Sequence, residues 1–404
     1  MTPTDMNIRD EFPLIKNNTV AYLDNAATTQ KPQCVLDAVN EYYTSHNANP
    51  MRGLYELSLQ ATQAYEDART AAAELIGASS EEIVFTRNAS ESLNLIAYSF
   101  GLHNIKEGDE IIVSVEEHHS NFLPWINIAG HTGAKVVYWD CEPDGYMNPD
   151  TLSELISDRT KLVAVTHVSN VLGRVNDIRR IADIAHEAGA LIVCDGSQSV
   201  PHMKTDVNDL DVDFFVFSGH KMYGPMGIGV LYGRKKLLDD MPPFLYGGEM
   251  IETVTKERVT YAEVPHKFEA GTVNAGGAVG LHAAIKFMNG YGYELIEERE
   301  RELTRHAFEE MSAMPYITIL GSSRFEEHNG IIAFKVEGVH PHDVTAIFSD
   351  SDVAVRAGHH CAQPLHKHLG IMSSTRVSMA FYNTMEEVDR FLEVLSGIRI
   401  KMGY

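Results

Sequence analysis

The strongest constraint on the fold of this 404-residue chain is a pair of unbroken apolar runs with one helical pattern between them. The runs are Lys161-Leu162-Val163-Ala164-Val165-Thr166 and Ala190-Leu191-Ile192-Val193-Cys194-Asp195. Each is apolar at successive positions, not alternate ones, so a strand built from it has both faces shielded from water. The pattern between them, residues 178–188, closes at Gly189, a common helix stop. Strand, helix, strand in this form implies a mostly parallel sheet covered by helices on both faces. Ligands of such sheets bind outside the carboxyl ends of the strands.

Further strands are predicted over 82–86, 110–114, 134–139 and 213–217, with a helix starting near Asn121. The pattern changes after about residue 280. A long charged helical stretch covers 280–287 and continues through 295–305. It is followed by a strand at 330–336, a helix at 342–349, a strand at 353–356, a glycine–histidine loop and a strand at 376–380. A last amphipathic helix starts at Thr384, with Glu386 and Glu387 in its first turn, where acidic groups favour the helix dipole. This reads as a smaller α+β domain. The chain shows neither an internal repeat nor a low-complexity linker.

Composition excludes several functions. With 44% hydrophobic and 22% charged residues, the chain can bury a large core, in two domains at this length. Its formal net charge of -23 repels nucleic acid and anionic membrane, so neither is an expected partner. No apolar run approaches the roughly 18 residues of a membrane span. Residues 1–5 lack the basic and apolar blocks of a signal peptide, so a cytoplasmic location is expected. The cysteines Cys34, Cys141, Cys194 and Cys361 are scattered and not at metal-ligand spacing. In a reducing compartment they are free thiols.

Asn170, Asp195 and Lys221 each fall just after a predicted strand end, so three residues distant in sequence are expected to meet in one crevice. Lys221 stands in Ser218-Gly219-His220-Lys221, ahead of Tyr223-Gly224-Pro225-Met226-Gly227. A lysine displayed there suits a Schiff base with pyridoxal phosphate (PLP). A strand ending in a polar turn with Lys221 solvated fits the same segment. Asp195 is placed to pair with a pyridinium nitrogen and keep the ring an electron sink, or else to cap a turn. The segment 86–92 enters a helix, where free amides and the Ser90 hydroxyl suit a phosphate; a plain capping serine is the alternative. In Glu116-Glu117-His118-His119-Ser120-Asn121 a histidine can stack on a cofactor ring. Two adjacent histidines rarely point at one ion, so no metal is expected.

The loop Arg356-Ala357-Gly358-His359-His360-Cys361-Ala362-Gln363-Pro364 suggests a mobile, polar segment. Nearby His and Arg favour a thiolate at Cys361, although a loop cysteine without a role has the same surroundings. Arg356 and Arg376 are candidate carboxylate forks, or surface ion-pair partners.

Seven segments then occur in order: residues 22–27 (YLDNAA), 117–121 (EHHSN), 166–173 (THVSNVLG), 195–198 (DGSQ), 218–225 (SGHKMYGP), 268–272 (FEAGT) and 356–361 (RAGHHC). Together they closely resemble the group II cysteine desulfurases, including selenocysteine lyase-like members, over nearly the whole chain from about residue 7. The resemblance implies a fold-type I, class V aminotransferase-like α/β enzyme, with a mostly parallel seven-stranded sheet between helices. It implies a large PLP-binding domain over 20–283 and a small domain over 1–19 and 284–404 that carries the cysteine loop.

By resemblance, Lys221 holds PLP, Asp195 the ring nitrogen, and His118 stacks on the ring as a catalytic residue. Asn170 and Gln198 contact the ring-oxygen side. Ser90, Ser218 and His220 bind the phosphate, and Thr272 reaches the phosphate of a neighbouring subunit, which implies a homodimer with shared active sites. Arg376, with Arg356 and Asn170 beside it, binds the substrate carboxylate. Cys361 takes the sulfur of L-cysteine as a persulfide and leaves L-alanine, for a sulfur-acceptor protein of iron–sulfur cluster assembly or other sulfur biosynthesis. L-selenocysteine is the alternative substrate.

One segment departs. The family usually has histidines where Met51 and Tyr55 stand in Met51-Arg52-Gly53-Leu54-Tyr55, which bears on substrate preference and acceptor. Another PLP reaction on the same fold, such as transamination or epimerisation, has no need of Cys361. A non-catalytic scaffold has no need to keep Lys221, Asp195, Cys361 and Arg376 together.

Overall fold

The computed structural model describes residues 8–403; the reading of residues 1–5 lies outside them. Seven strands form the large sheet: β1 (Ile83–Thr86), β2 (Glu110–Ser114), β3 (Lys135–Trp139), β4 (Thr160–Thr166), β5 (Leu191–Asp195), β6 (Phe214–Ser218) and β7 (Gly229–Gly233). Their order is β1-β7-β6-β5-β4-β2-β3. β7 runs antiparallel to β1 and β6, and the remaining neighbours are parallel. This is the mostly parallel sheet of the fold expected above.

The unbroken apolar runs are explained by two cores. Val163, Val165, Ile192, Cys194, Phe215 and Phe217 belong to one, while Leu162, Ala164, Val193, Phe214 and Val216 belong to the other. Alternate residues of β4, β5 and β6 therefore enter opposite faces, and neither face is left to water. The helices α1 (Glu56–Leu75), α2 (Ala89–Leu95), α3 (Leu123–Thr132), α4 (Ile178–Glu187) and α5 (Ala275–Tyr291) cover these faces. α1 packs along α5. The sequence reading missed α1 because its buried stripe includes the small residues Ala61, Ala68, Ala72 and Ala73, which carry little hydrophobic signal. The predicted stretch after 280 is two helices. It breaks at Gly292, whose φ of 80° is left-handed, and resumes as α6 (Tyr293–Ser312).

The second sheet contains β8 (Ile317–Ile319), β9 (Ile331–Val336), β10 (Arg356–Gly358) and β11 (Ser374–Ser378), antiparallel in the order β8-β9-β11-β10. α6, α7 (Pro341–Ser349) and a C-terminal helix cover it through Leu303, Phe308, Phe348 and Phe391. Before that last helix, α8 (Gln363–His368) follows the cysteine loop; the last is α9 (Met385–Lys401). Thr384 and Glu387 close a capping box on α9, as the residues at its start imply. The strand predicted at 353–356 divides. Val353–Ala354 pairs in parallel with Ala21–Tyr22, and Arg356 begins β10. Among the described residues no helix is long and apolar enough to cross a membrane.

β7 went unread because it is five residues with glycine at each end. Gly229 is required by close approach: a Cβ there would lie 2.4 Å from the Asn88 Cα. Gly229→Ala is expected to destabilise the fold by about 1–3 kcal/mol and to loosen the turn at Asn88. Urea unfolding and amide exchange at Ala89 and Ser90 check this; wild-type values for both would show that the turn can move aside.

Candidate active site

The register of the central strands sets Thr166 opposite Asp195, and Asp195 opposite Val216. The carboxyl ends of β4, β5 and β6 therefore lie side by side. A cavity opens at that edge. Asn170, Asp195, Ser218, His220 and Lys221 line it from the strand ends of the large sheet and the turns after them, with Ser90 from the start of α2 and His118 from the turn after β2. Arg356 and Arg376 line it from the second sheet, and Cys361 from the loop after β10. The crevice expected for Asn170, Asp195 and Lys221 is thus present, and the cysteine loop closes over it.

Lys221 ends a single 3-10 turn, Gly219–Lys221, directly after β6. Burial lowers the pKa of its ammonium, against the pull of Asp195. The peptide before it is held firmly. The His220 carbonyl accepts from Thr28 Oγ1 at 2.9 Å, from the Thr29 amide at 3.2 Å and from Lys31 Nζ at 2.8 Å. Burial brings Lys31 itself down to about 7. The sequence reading missed this anchor, because nothing in residues 28–31 shows that they fold back onto residue 220.

The His118 Nδ1 accepts from the Ser120 amide at 3.1 Å, so the neutral ring carries its proton on Nε2. Burial first, then the charge of Lys221, lowers His118 to about 3, and the ring is uncharged at neutral pH. Ser120 Oγ lies 2.6 Å from Ser90 Oγ. Ser218 Oγ accepts from the Ala89 amide at 2.9 Å, which ties the end of β6 to the start of α2. Asp195 is buried, and one carboxylate oxygen accepts from the Ser197 amide at 2.9 Å.

Arg356 and Arg376 are directly opposed on β10 and β11. Arg376 is fully buried; Nη1 donates to the Asn170 carbonyl at 2.8 Å and Nη2 to Asp24 at 3.0 Å. Its Nε has no partner. Arg356 is exposed.

The mobile loop expected around Cys361 is instead tied down. Asn170 Nδ2 donates to the His360 carbonyl, and the His119 amide to the Cys361 carbonyl, both at 2.7 Å. His360 and Cys361 have φ of 50° and 58°, a left-handed backbone that costs non-glycine residues roughly 1–2 kcal/mol each. These bonds hold the strained pair in place.

Two predicted site residues lie off the cavity lining. Gln198 is buried with Nε2 on the Ala26 carbonyl at 2.8 Å. Thr272 opens on a separate cleft with Arg87, Glu91 and Asn274. Neither Met51 nor Tyr55 lines the cavity; their neighbour Arg52 pairs with Glu249 at 2.8 Å.

The cavity fits a polar ligand. Gln198 Oε1, His220 Nδ1, His360 Nδ1 and Arg376 Nε are buried without partners in or beside it. Each such group costs about 1–3 kcal/mol until it is satisfied. Lysine, buried carboxylate, hydroxyls and imidazoles together match a ligand with a carbonyl, a basic ring nitrogen and an anionic group.

Fold and site define the class: the chain belongs to the class-V aminotransferase family, whose sequence profile matches residues 21–391. A cysteine desulfurase of Haloferax volcanii is 44% identical over 98% of this chain and 97% of its own length. A probable cysteine desulfurase of Halalkalibacterium halodurans is 45% identical over 98% of each. The apo structure of the Thermococcus onnurineus cysteine desulfurase matches with a TM-score of 0.94 at 42% identity, over 99% of this chain and 98% of that one. The Escherichia coli cysteine desulfurase CsdA matches at 0.92 and 37%, over 99% of both. Within its class the chain is a member of the cysteine desulfurase family.

Behind the site lie two buried carboxylates, Glu116 and Glu117, that the sequence reading did not single out. Glu117 is fully buried and accepts from the Thr166 amide at 2.7 Å and Asn121 Nδ2 at 2.6 Å, which joins β4 to the His118 turn. Glu116 accepts from Asn176 Nδ2 at 3.1 Å, and its other oxygen has no partner. Burial raises Glu116 to about 7, opposed by the bond from Asn176. A carboxyl raised on folding contributes stability below its unfolded pKa of roughly 4.5 and loses it as pH rises through about 7. Glu116→Gln removes that loss. Its unfolding free energy relative to wild type is expected to climb by up to about 3 kcal/mol between those limits and level off above them. Denaturation across that pH range checks the sign; a flat or falling difference would contradict it.

Proposed function

We propose that this chain is a PLP-dependent enzyme that desulfurates L-cysteine, giving L-alanine and a persulfide on Cys361. One observation carries the reading: Lys221, Asp195 and Cys361 line a single cavity where the two sheets meet. A transaminase has no use for the thiol there. When bound, PLP supplies an electron sink for the substrate Cα.

In this reading Lys221 carries the cofactor, Asp195 pairs with its ring nitrogen, and neutral His118 lies against the ring. Asn170 and Gln198 serve the ring-oxygen side, the latter through its free Oε1. Ser90, Ser218 and His220 take the phosphate. The unpartnered Nε of Arg376 takes the substrate carboxylate, with Asp24 and the Asn170 carbonyl holding the guanidinium in place and Arg356 adding charge. The amine of Lys221 moves the Cα proton. The Cys361 thiolate attacks the substrate sulfur; an S–S bond forms as the C–S bond breaks, and the C–S electron pair stays on Cβ. Cβ gains a proton and becomes the methyl of alanine. The sum is cysteine plus the Cys361 thiol giving alanine plus the Cys361 persulfide, with no external oxidant.

A second copy of the chain belongs to this reading. Thr272 faces a cleft separate from its own chain's cavity, which suits a phosphate contact across a homodimer. The persulfide then passes to a sulfur-acceptor protein, as iron–sulfur cluster assembly needs, in the cytoplasm. We divide the chain into a large domain over 20–283 and a small one over 1–19 and 284–404. The Asp24–Arg376 pair at 3.0 Å joins the two.

Cys361→Ser is expected to keep cofactor and cysteine binding and to form no protein persulfide, as read by intact mass after incubation with L-cysteine. Normal turnover in that variant would remove Cys361 from the mechanism. Lys221→Ala is expected to lose the visible absorption of the Lys221-bound cofactor together with turnover; an unchanged spectrum would assign the attachment elsewhere.

A further inference from the structure

His119 stands beside His118 but outside the cavity lining, in an adjoining cleft with Ser90, Ser120 and Leu123. It grips the cysteine loop twice. Its amide donates to the Cys361 carbonyl at 2.7 Å. Its Nε2 accepts from the Gln363 amide at 3.2 Å. The two bonds bracket Ala362, so one residue restrains the loop at Cys361 and again two residues on, where α8 begins. A backbone amide only donates, so Nε2 presents a lone pair and the ring is neutral with its proton on Nδ1. Burial, with His359 nearby, favours that neutral form. The left-handed backbone at His360 and Cys361 needs such restraint, because non-glycine residues leave that conformation when nothing holds them.

We propose that the His119 imidazole is a positioning residue that holds the Gln363 amide and thereby aims Cys361 at the substrate sulfur. This rests on Cys361 being the sulfur acceptor. The adjacent histidines then divide their work, His118 in the cavity wall and His119 on the loop. Loss of the imidazole leaves the backbone bond to Cys361 and removes the one to Gln363. Aim is lost while the substrate site, built by Arg376 and Asn170, remains.

The test uses the full-length PLP-loaded enzyme in three forms: wild type, His119→Ala, and His119→Gln, whose side-chain oxygen can accept from Gln363. Hydrogen–deuterium exchange over residues 356–368 reads the clamp, and kcat, KM for L-cysteine and the rate of Cys361 persulfide formation read the aim. His119→Ala is expected to speed exchange at Gln363 and to lower kcat and persulfide formation by roughly tenfold to a hundredfold, with KM within about twofold of wild type. His119→Gln is expected to restore exchange and most of the rate. Unchanged exchange in His119→Ala overturns the proposal. So does faster exchange with an unchanged kcat, or a loss that His119→Gln does not restore. If wild type consumes cysteine without a Cys361 persulfide, the functional reading fails instead, and the exchange difference alone then decides whether the clamp exists.

Discussion

The backbones of β4, β5 and β6 hydrogen-bond in a register that sets Thr166, Asp195 and Val216 side by side. Every later feature of the site depends on that pairing. A slip of one residue would move Asp195 by roughly 3.3 Å and turn its carboxylate to the opposite face of the sheet. The register is secured by burial on both faces: Ile192 and Cys194 fill one core and Val193 the other. The apolar runs thus make the sheet and also fix where its few polar residues emerge. Glu117 reinforces the result from beneath, because its carboxylate receives the Thr166 amide and Asn121 at once.

The second requirement is a firm seam between the two sheets. Arg376 reaches from β11 to the Asn170 carbonyl and to Asp24, and Asn170 returns a bond to the His360 carbonyl. Those contacts bring two arginines and a thiol to the edge that holds Lys221. The cavity is therefore cationic inside a chain whose formal charge is -23. Anionic groups of a small ligand are drawn to it, while polyanions are repelled by the surface as a whole. His118 is kept neutral by burial first, and then by the charges of Lys221 and the arginines.

Much of this was legible in the sequence, for identifiable reasons. Asn170, Asp195 and Lys221 follow apolar runs, so their meeting at one edge follows from parallel-sheet geometry. Cys361 was marked by the glycine and histidines around it. What stayed hidden depends on contacts between distant segments. The alanine stripe of α1 and the short β7 carry too little pattern to be read locally. Lys31 becomes an anchor only because residues 28–31 fold back onto the His220 carbonyl. In the segment 116–121 only the histidines were singled out, and the packed structure shows Glu116 and Glu117 fully buried. The polar composition of the cysteine loop suggested mobility. Its restraint comes from Asn170 and His119, neither of which is local to it.

The central claim is that a thiol on the loop after β10 meets the lysine and aspartate of the large sheet's edge to move sulfur from cysteine. The most direct test is product stoichiometry: purified PLP-loaded enzyme is given L-cysteine and a reductant, and alanine and sulfide are measured together over time. The account predicts equimolar alanine and sulfide. Pyruvate in place of alanine, or alanine without matching sulfide, would contradict it and assign the cavity to a different reaction.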